Sequence, residues 1–174
     1  ALGPAVIAAQ QAGLLVNGGG HNMAAGFTVE QDKLEELTDF LATHIARQLD
    51  GLTLTPSMSF DGALSPAGAT PDVIEMLERA GPFGSGNPRP RFAIPQAKIV
   101  DSGIVGKDHV RCILTGADGT GRLKAIAFRS AGTPLGRALL DTRGLPLHVA
   151  GNLRVDEWQG RVSAQLFIDD VAAV

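Results

Sequence analysis

From Phe92 to its last residue the chain is punctuated for short strands, and no other feature constrains its fold as strongly. Runs rich in apolar and β-branched residues fall at 92–105, 110–115, 122–128, 145–155 and 160–171, each bounded by turn-forming residues. Asp118-Gly119-Thr120-Gly121 reads as a hairpin turn between the second and third runs. Glu157-Trp158-Gln159-Gly160 turns the fourth run into the fifth. Between the third and fourth, Pro134 to Asp141 is spaced as a short helix.

Three strands, a helix and two further strands is the order of an OB-fold barrel. Ahead of it the pattern is α/β. A short helix is predicted over Pro4–Ala12, a buried strand over Leu14–Val16 and another over Gly26–Val29. Leu34, Leu37, Leu41, Ile45 and Leu49 recur at spacings of three and four, which predicts a long helix ending at Gly51. Residues 52–61 alternate strictly between apolar and polar, which predicts a half-buried strand, with Pro56 making it an edge. Thr70 caps a further helix with Pro71 at its first position and Val73, Ile74, Met76 and Leu77 on its buried side. Pro82–Pro90 is a Pro/Gly-rich connector. The expected division is therefore an α/β part over 1–51, a linking strand, helix and connector over 52–90, and a mainly β barrel over 91–174.

Composition limits the chemistry. The single cysteine, Cys112, cannot form an internal disulfide, so a reducing cytoplasm is the expected setting. It lies in an apolar run and reads as a buried small hydrophobe. The first 29 residues carry no Asp, Glu, Lys or Arg, yet Gln10, Gln11, Asn17, the glycines and Asn22 interrupt them. A spanning helix needs about 20 mostly apolar residues and a signal peptide opens with positive charge, so neither pattern fits and no membrane partner is expected. The chain opens in mid-pattern, as a fragment would. Charge is uneven: residues 1–81 carry three Lys/Arg and ten Asp/Glu, against twelve and eight over 82–174. The second half is thus the candidate for meeting an anion.

Two groups of residues could bind one. Gly18, Gly19, Gly20 and His21 form a bare run whose N–H groups could line a phosphate nest, with His21 as an added donor. The same run could equally be a strand-to-helix turn that needs glycine for geometry alone. The second group is the polar face of the barrel. OB-folds take oligonucleotides between the first-to-second and fourth-to-fifth strand loops. Lys107 and His109 fall in the first, and Trp158, flanked by Arg154 and Arg161, in the second. Arg111, Arg122, Lys124 and Arg129 lie on or beside the strands. A basic groove with an aromatic platform suits single-stranded nucleic acid; the alternative is a Trp packed over its own hairpin beside a solvated basic face. The four His have no ligand-like spacing, so neither a metal site nor a catalytic residue is expected in this chain.

Gly18-Gly19-Gly20-His21-Asn22-Met23-Ala24-Ala25-Gly26-Phe27 resembles the DHH-associated domain of the DHH phosphoesterases. Gly81-Pro82-Phe83-Gly84-Ser85-Gly86-Asn87-Pro88-Arg89-Pro90-Arg91-Phe92 narrows the resemblance to the RecJ type, and Gly106–Arg111 and Trp158–Arg161 resemble its OB region, in family order. Asn22 and Arg89 depart from the residues common at those places. The resemblance implies a 5′-to-3′ single-stranded-DNA exonuclease of repair and recombination. Its manganese or magnesium ions would be held by an N-terminal DHH domain, a partner with no counterpart in this sequence. It implies that the Gly18–His21 run faces the scissile phosphate, that the barrel guides the strand, and that this chain binds DNA without cutting it. The rival reading is a non-catalytic single-strand-binding or protein-docking module.

Overall fold

The computed structural model describes residues 1–52, 56–142 and 144–174. They form two compact units, Ala1–Ser57 and Met58–Val174. The boundary differs from the three-part division expected from sequence: from Met58 onward the supposed linker is built into the second unit. Its helix supplies Ile74, 1% exposed, to the barrel core, with Ala69 and Leu77 beside it.

In the first unit, α1 (Leu2–Gln11) is followed by an antiparallel hairpin of β1 (Asn17–His21) and β2 (Ala24–Thr28), then by a 3-10 turn at Gln31–Lys33 and α2 (Leu34–Gln48). The strand expected at Leu14–Val16 does not form; Leu14 is buried in a small core with Ala9 and Leu37, while Val16 is 61% exposed. The strand is the glycine run itself. A Cβ on Gly18 would meet Leu15 and Val6 at 2.9 Å, and one on Gly20 would lie 2.4 Å from the Ala24 carbonyl oxygen. Glycine at 18 lets the hairpin lie against α1, and glycine at 20 lets its two strands close on each other. Leu37 is buried, but Leu34 and Ile45 on the same helical stripe are exposed.

In the second unit the alternation of residues 52–61 does not produce a strand over Pro56–Phe60, and residues 53–55 lie outside the described residues. Only β3 (Gly62–Ala63) pairs, in parallel with the start of β4 (Phe92–Val105). Alternation fits a pleat but does not supply a partner. α3 (Pro71–Glu78) begins as its sequence predicts, the Thr70 hydroxyl oxygen accepting the Val73 N–H at 3.3 Å. Met76, expected on its buried side, is exposed.

The barrel comprises β4, β5 (His109–Thr115), β6 (Leu123–Ala127), β7 (Leu147–Trp158) and β8 (Arg161–Ala173), with α4 (Pro134–Leu140) between β6 and β7. Its ladder runs β4-β5-β6-β8-β7 and closes because β4 also pairs with β7. One long strand serves two neighbours: Phe92–Ala97 pairs with β7 and Lys98–Val105 with β5, with an irregularity on each side of the change-over, between Ile94 and Ala97 and between Ile99 and Asp101. The remaining seam, β6 with β8, is parallel. Inward positions alternate along every strand, and Ile94, Val110, Leu114, Leu123, Val149, Leu153 and Leu166 are at most 2% exposed. Leu139 of α4, capped by Thr133 and started by Pro134, completes this core.

The Pro/Gly-rich stretch between α3 and β4 is a buckle rather than a loose connector. Asn87 Nδ2 donates to the carbonyls of Ala80 and Pro82 at 2.8 and 3.2 Å. Arg89 pairs with Glu78, holding that carboxyl below its usual range, and lies over the Phe83 ring at 4.6 Å. Asn152 Nδ2 on β7 donates to the carbonyls of Arg89 and Pro90, at 3.2 and 2.7 Å, which ties the buckle to the barrel. Asn152→Ala leaves two partly buried carbonyls without that donor and should lower stability by about 1–2 kcal/mol. The expected signature is a lower urea midpoint at unchanged m-value. An unchanged midpoint would contradict the buckle's role.

Candidate nucleic-acid interface

Cross-strand register decides which polar residues meet on the outer face. One row runs Gly103, Arg111, Ile126, Phe167, Asn152 across β4, β5, β6, β8 and β7. The next runs Asp101, Ile113, Lys124, Gln165, Arg154. The β4–β5 turn lies at one end of these rows, and the β7–β8 hairpin projects from the other. The face therefore gathers strand residues that are far apart in sequence around the loops where an OB-fold takes its ligand.

The cations on this face are not equivalent. Arg111 pairs with Asp101 at 2.9 Å and Lys124 with Asp156 at 2.7 Å. Both pairs are substantially exposed, so each is worth about 0–1 kcal/mol and can be exchanged for a phosphate at small cost. Lys107, Arg122, Arg129 and Arg161 are exposed and have no carboxylate partner among the described residues. Arg154 is half-buried, with its guanidinium 5.8 Å from the Phe167 ring and its Nε shielded and unpaired. Counted by structural unit, residues 58–174 carry thirteen Lys/Arg and twelve Asp/Glu. The charge asymmetry drawn from the sequence halves thus shrinks once α3 joins the barrel. What remains is local: unpaired cations at the two ends of the face, ion pairs in its middle.

His109 lies at the β4–β5 end. Its Nδ1 accepts the Arg129 backbone N–H at 2.9 Å. Asp108 Oδ1 lies 3.0 Å from the same Nδ1. Trp158 is the last residue of β7 rather than a turn residue. It is 67% exposed and faces Arg161 across a two-residue turn, Gln159-Gly160. Both turn residues have positive φ, 50° and 73°, the hairpin geometry that matches strand twist. Among the described residues Trp158 makes no contact with another aromatic ring. Sequence reasoning missed Phe128 and Phe167, which meet edge to face on this surface at 5.1 Å. The only available signal was their outward parity, directly after β6 and on β8.

The Gly18–His21 run is neither a nest nor a turn into a helix. It is an antiparallel strand, its turn is Asn22-Met23, and His21 is exposed at its end. Gly19 and Gly26 are register partners, and a Cβ on either would meet nothing within 4 Å. Neither packing nor backbone conformation requires glycine at these two places, so together they leave a patch of bare backbone.

Two further candidates drop out. Burial pushes the Cys112 thiol up to about 12, with Asp101 adding to the effect, which leaves no thiolate for nucleophilic work. An apolar groove lined by Phe60, Ala93, Val149 and Val171 has no convergent polar groups beyond His148 and Asp170 at its rim.

A closed five-stranded barrel with a helix between its third and fourth strands and a polar outer face is an OB-fold. Residues 60–170 match the family model described as the RecJ OB domain, and the chain belongs to that family. It is 31% identical over 160 residues to the single-stranded-DNA-specific exonuclease RecJ of Escherichia coli K12, covering 91% of this chain and 27% of that protein. It is 24% identical to RecJ of Bacillus subtilis 168, covering 91% and 20%. The crystal structure of RecJ in complex with Mg2+ from Thermus thermophilus shares its fold over 98% of this chain and 25% of that one, with a TM-score of 0.71 at 23% identity. A second structure of that RecJ, with Mn2+, aligns with a TM-score of 0.70 at 24% identity. The chain spans about a quarter of the length of these relatives. Among the described residues no three His, Cys, Asp or Glu side chains gather as metal donors. No described helix is long and apolar enough to cross a membrane.

The contrast between paired and open glycines is testable. Gly20→Ala forces a clash with β2 and should lower the thermal midpoint by several degrees. Gly19→Ala meets open space and should leave the midpoint unchanged or raise it slightly, since glycine costs a strand roughly 0.5–1 kcal/mol. Equal losses in the two variants would refute the assignment.

Proposed function

We propose that this chain is the substrate-binding C-terminal portion of a 5′-to-3′ single-stranded-DNA exonuclease acting in cytoplasmic DNA repair and recombination. The observation that carries the reading is the outer barrel face, with unpaired Lys107 and Arg129 at one loop, unpaired Arg122 and Arg161 toward the other, and an exposed Trp158. Charge follows the phosphates and the indole stacks on a base. Arg111 and Lys124 join by exchanging their carboxylate partners, and Arg154 and His109 line the same surface. Family membership and the names of the relatives support the substrate class.

Residues 1–51 serve as the C-terminal part of a DHH-associated domain. There the bare backbone at Gly19 and Gly26, with Gly18, Gly20 and His21, approaches the phosphate to be cut. Mn2+ or Mg2+, held by a DHH domain outside this sequence, supplies the hydrolytic chemistry; the residues described here bind and orient the strand.

Four unpaired cations set the expected salt dependence. For oligo-dT, log affinity should fall against log salt with a slope of about −2 to −3. A salt-independent affinity would overturn the reading. Incubated with 5′-labelled single-stranded DNA and manganese, the purified chain should leave the label intact. Metal-dependent, processive loss of label would show that the chain cuts by itself.

A further inference from the structure

Trp158 is not the only half-open ring on the barrel face. Phe128, directly after β6, is 48% exposed at the opposite end. Two rings hold it. His109 lies 5.1 Å away at an interplanar angle of 71°, and Phe167 lies 5.1 Å away at 72°. Near-perpendicular contacts on two sides fix the plane of the Phe128 ring, so little side-chain freedom is left to lose on binding. Packing on Phe167 alone asks only for apolar bulk at this position. It does not account for a second ring bracing the first, nor for the cations around it.

Those cations are Lys107, in the turn between β4 and β5, and Arg129, the next residue along the chain. Neither has a carboxylate partner among the described residues. Arg129 sits in the left-handed region, φ 51°, and its N–H is held by Nδ1 of His109, the imidazole that also packs on Phe128. The ring and the cation beside it are thus fixed by one side chain. Asp108 is the only acidic neighbour in this loop, and its carboxylate is turned to His109.

We propose that Phe128 is a second base-stacking platform for single-stranded DNA, with Lys107 and Arg129 taking the phosphates beside it. The inference rests on the reading of the barrel face as a single-strand site and adds to it a second anchor. Phe167, which Phe128 touches, is the register partner of Asn152, and Trp158 lies six residues further along β7. At about 3.3 Å per residue that puts Trp158 about 20 Å along the strand from the row that holds Phe167, and Phe128 follows Ile126 of that row on the side away from Trp158. The ion-paired middle of the face lies between them, so a bound strand is gripped at both ends and crosses a stretch of weaker contact.

The test uses the whole chain and oligo-dT at fixed low salt, with Phe128→Leu, Phe128→Tyr and the double variant Phe128→Trp/Trp158→Phe. Phe128→Leu keeps the apolar packing and removes the stack, and should weaken binding about ten-fold or more. Phe128→Tyr keeps the ring and should bind within about two-fold of the parent. The salt slope should not change, because no charge is removed. In the double variant the sole indole sits at 128, and oligo-dT should quench its fluorescence. Parent-like binding by Phe128→Leu, or no quenching at position 128 while the double variant still binds oligo-dT with salt dependence, would make Phe128 a packing residue and leave the face itself standing. If Phe128→Leu fails to fold, the quenching result alone decides. A parent chain that does not bind oligo-dT would overturn the face and this platform together.

Discussion

The barrel closes at Gly151, and the arrangement of the outer face follows from that closure. Gly151 pairs with Phe92 of β4 on one side and Ile168 of β8 on the other, beside a bulge in β8 at Asp169. A Cβ there would lie 2.0 Å from the Phe167 carbonyl oxygen, so the two strands can approach only over a bare Cα. The next residue, Asn152, then reaches the carbonyls of the Arg89–Pro90 buckle, which ties α3 to the barrel. Across from it, Phe167 comes level with Ile126 and meets Phe128. One close approach thus sets the buckle, the aromatic pair and the register of the cationic rows.

Register also explains why a nearly neutral unit can present a surface for an anion. The acids of β4 and β7, Asp101 and Asp156, fall beside Arg111 and Lys124 and neutralise the centre of the face. Asp169 is similarly occupied by Arg91 at 2.8 Å. Cations are left unpaired where the strands run out into loops. Binding by such a surface depends on where charge is uncompensated more than on its sum, and falls as salt screens those few sites.

The sequence made the strand order, both capped helices and the β7–β8 turn legible, because each is written in local chemistry: Thr70-Pro71, Thr133-Pro134 and Gln159-Gly160. Residues 18–20 were not legible as a strand. Glycine carries no alternation, and only the position of α1 and β2 separates Gly18 and Gly20, which must be bare to pack, from Gly19, which meets nothing. The pattern of residues 52–61 misled for the opposite reason: alternation was present, but no strand lay beside Pro56–Phe60 to receive it. The candidate cations were readable as a set. Which of them are free depends on cross-strand partners such as Asp156 for Lys124, 32 residues away. Phe128 and Phe167 are brought together by the parallel β6–β8 seam, a long-range pairing with no local signature.

Mapping amide shifts of the ¹⁵N-labelled chain during titration with oligo-dT tests most directly where a single strand lies. The account predicts the largest shifts at Lys107–Arg111, at Lys124–Arg129 and around Trp158–Arg161, with the buckle at Ala80–Pro90 undisturbed. Shifts gathered instead along the apolar groove of Phe60, Ala93 and Val149, with the β5–β6 face silent, would contradict it.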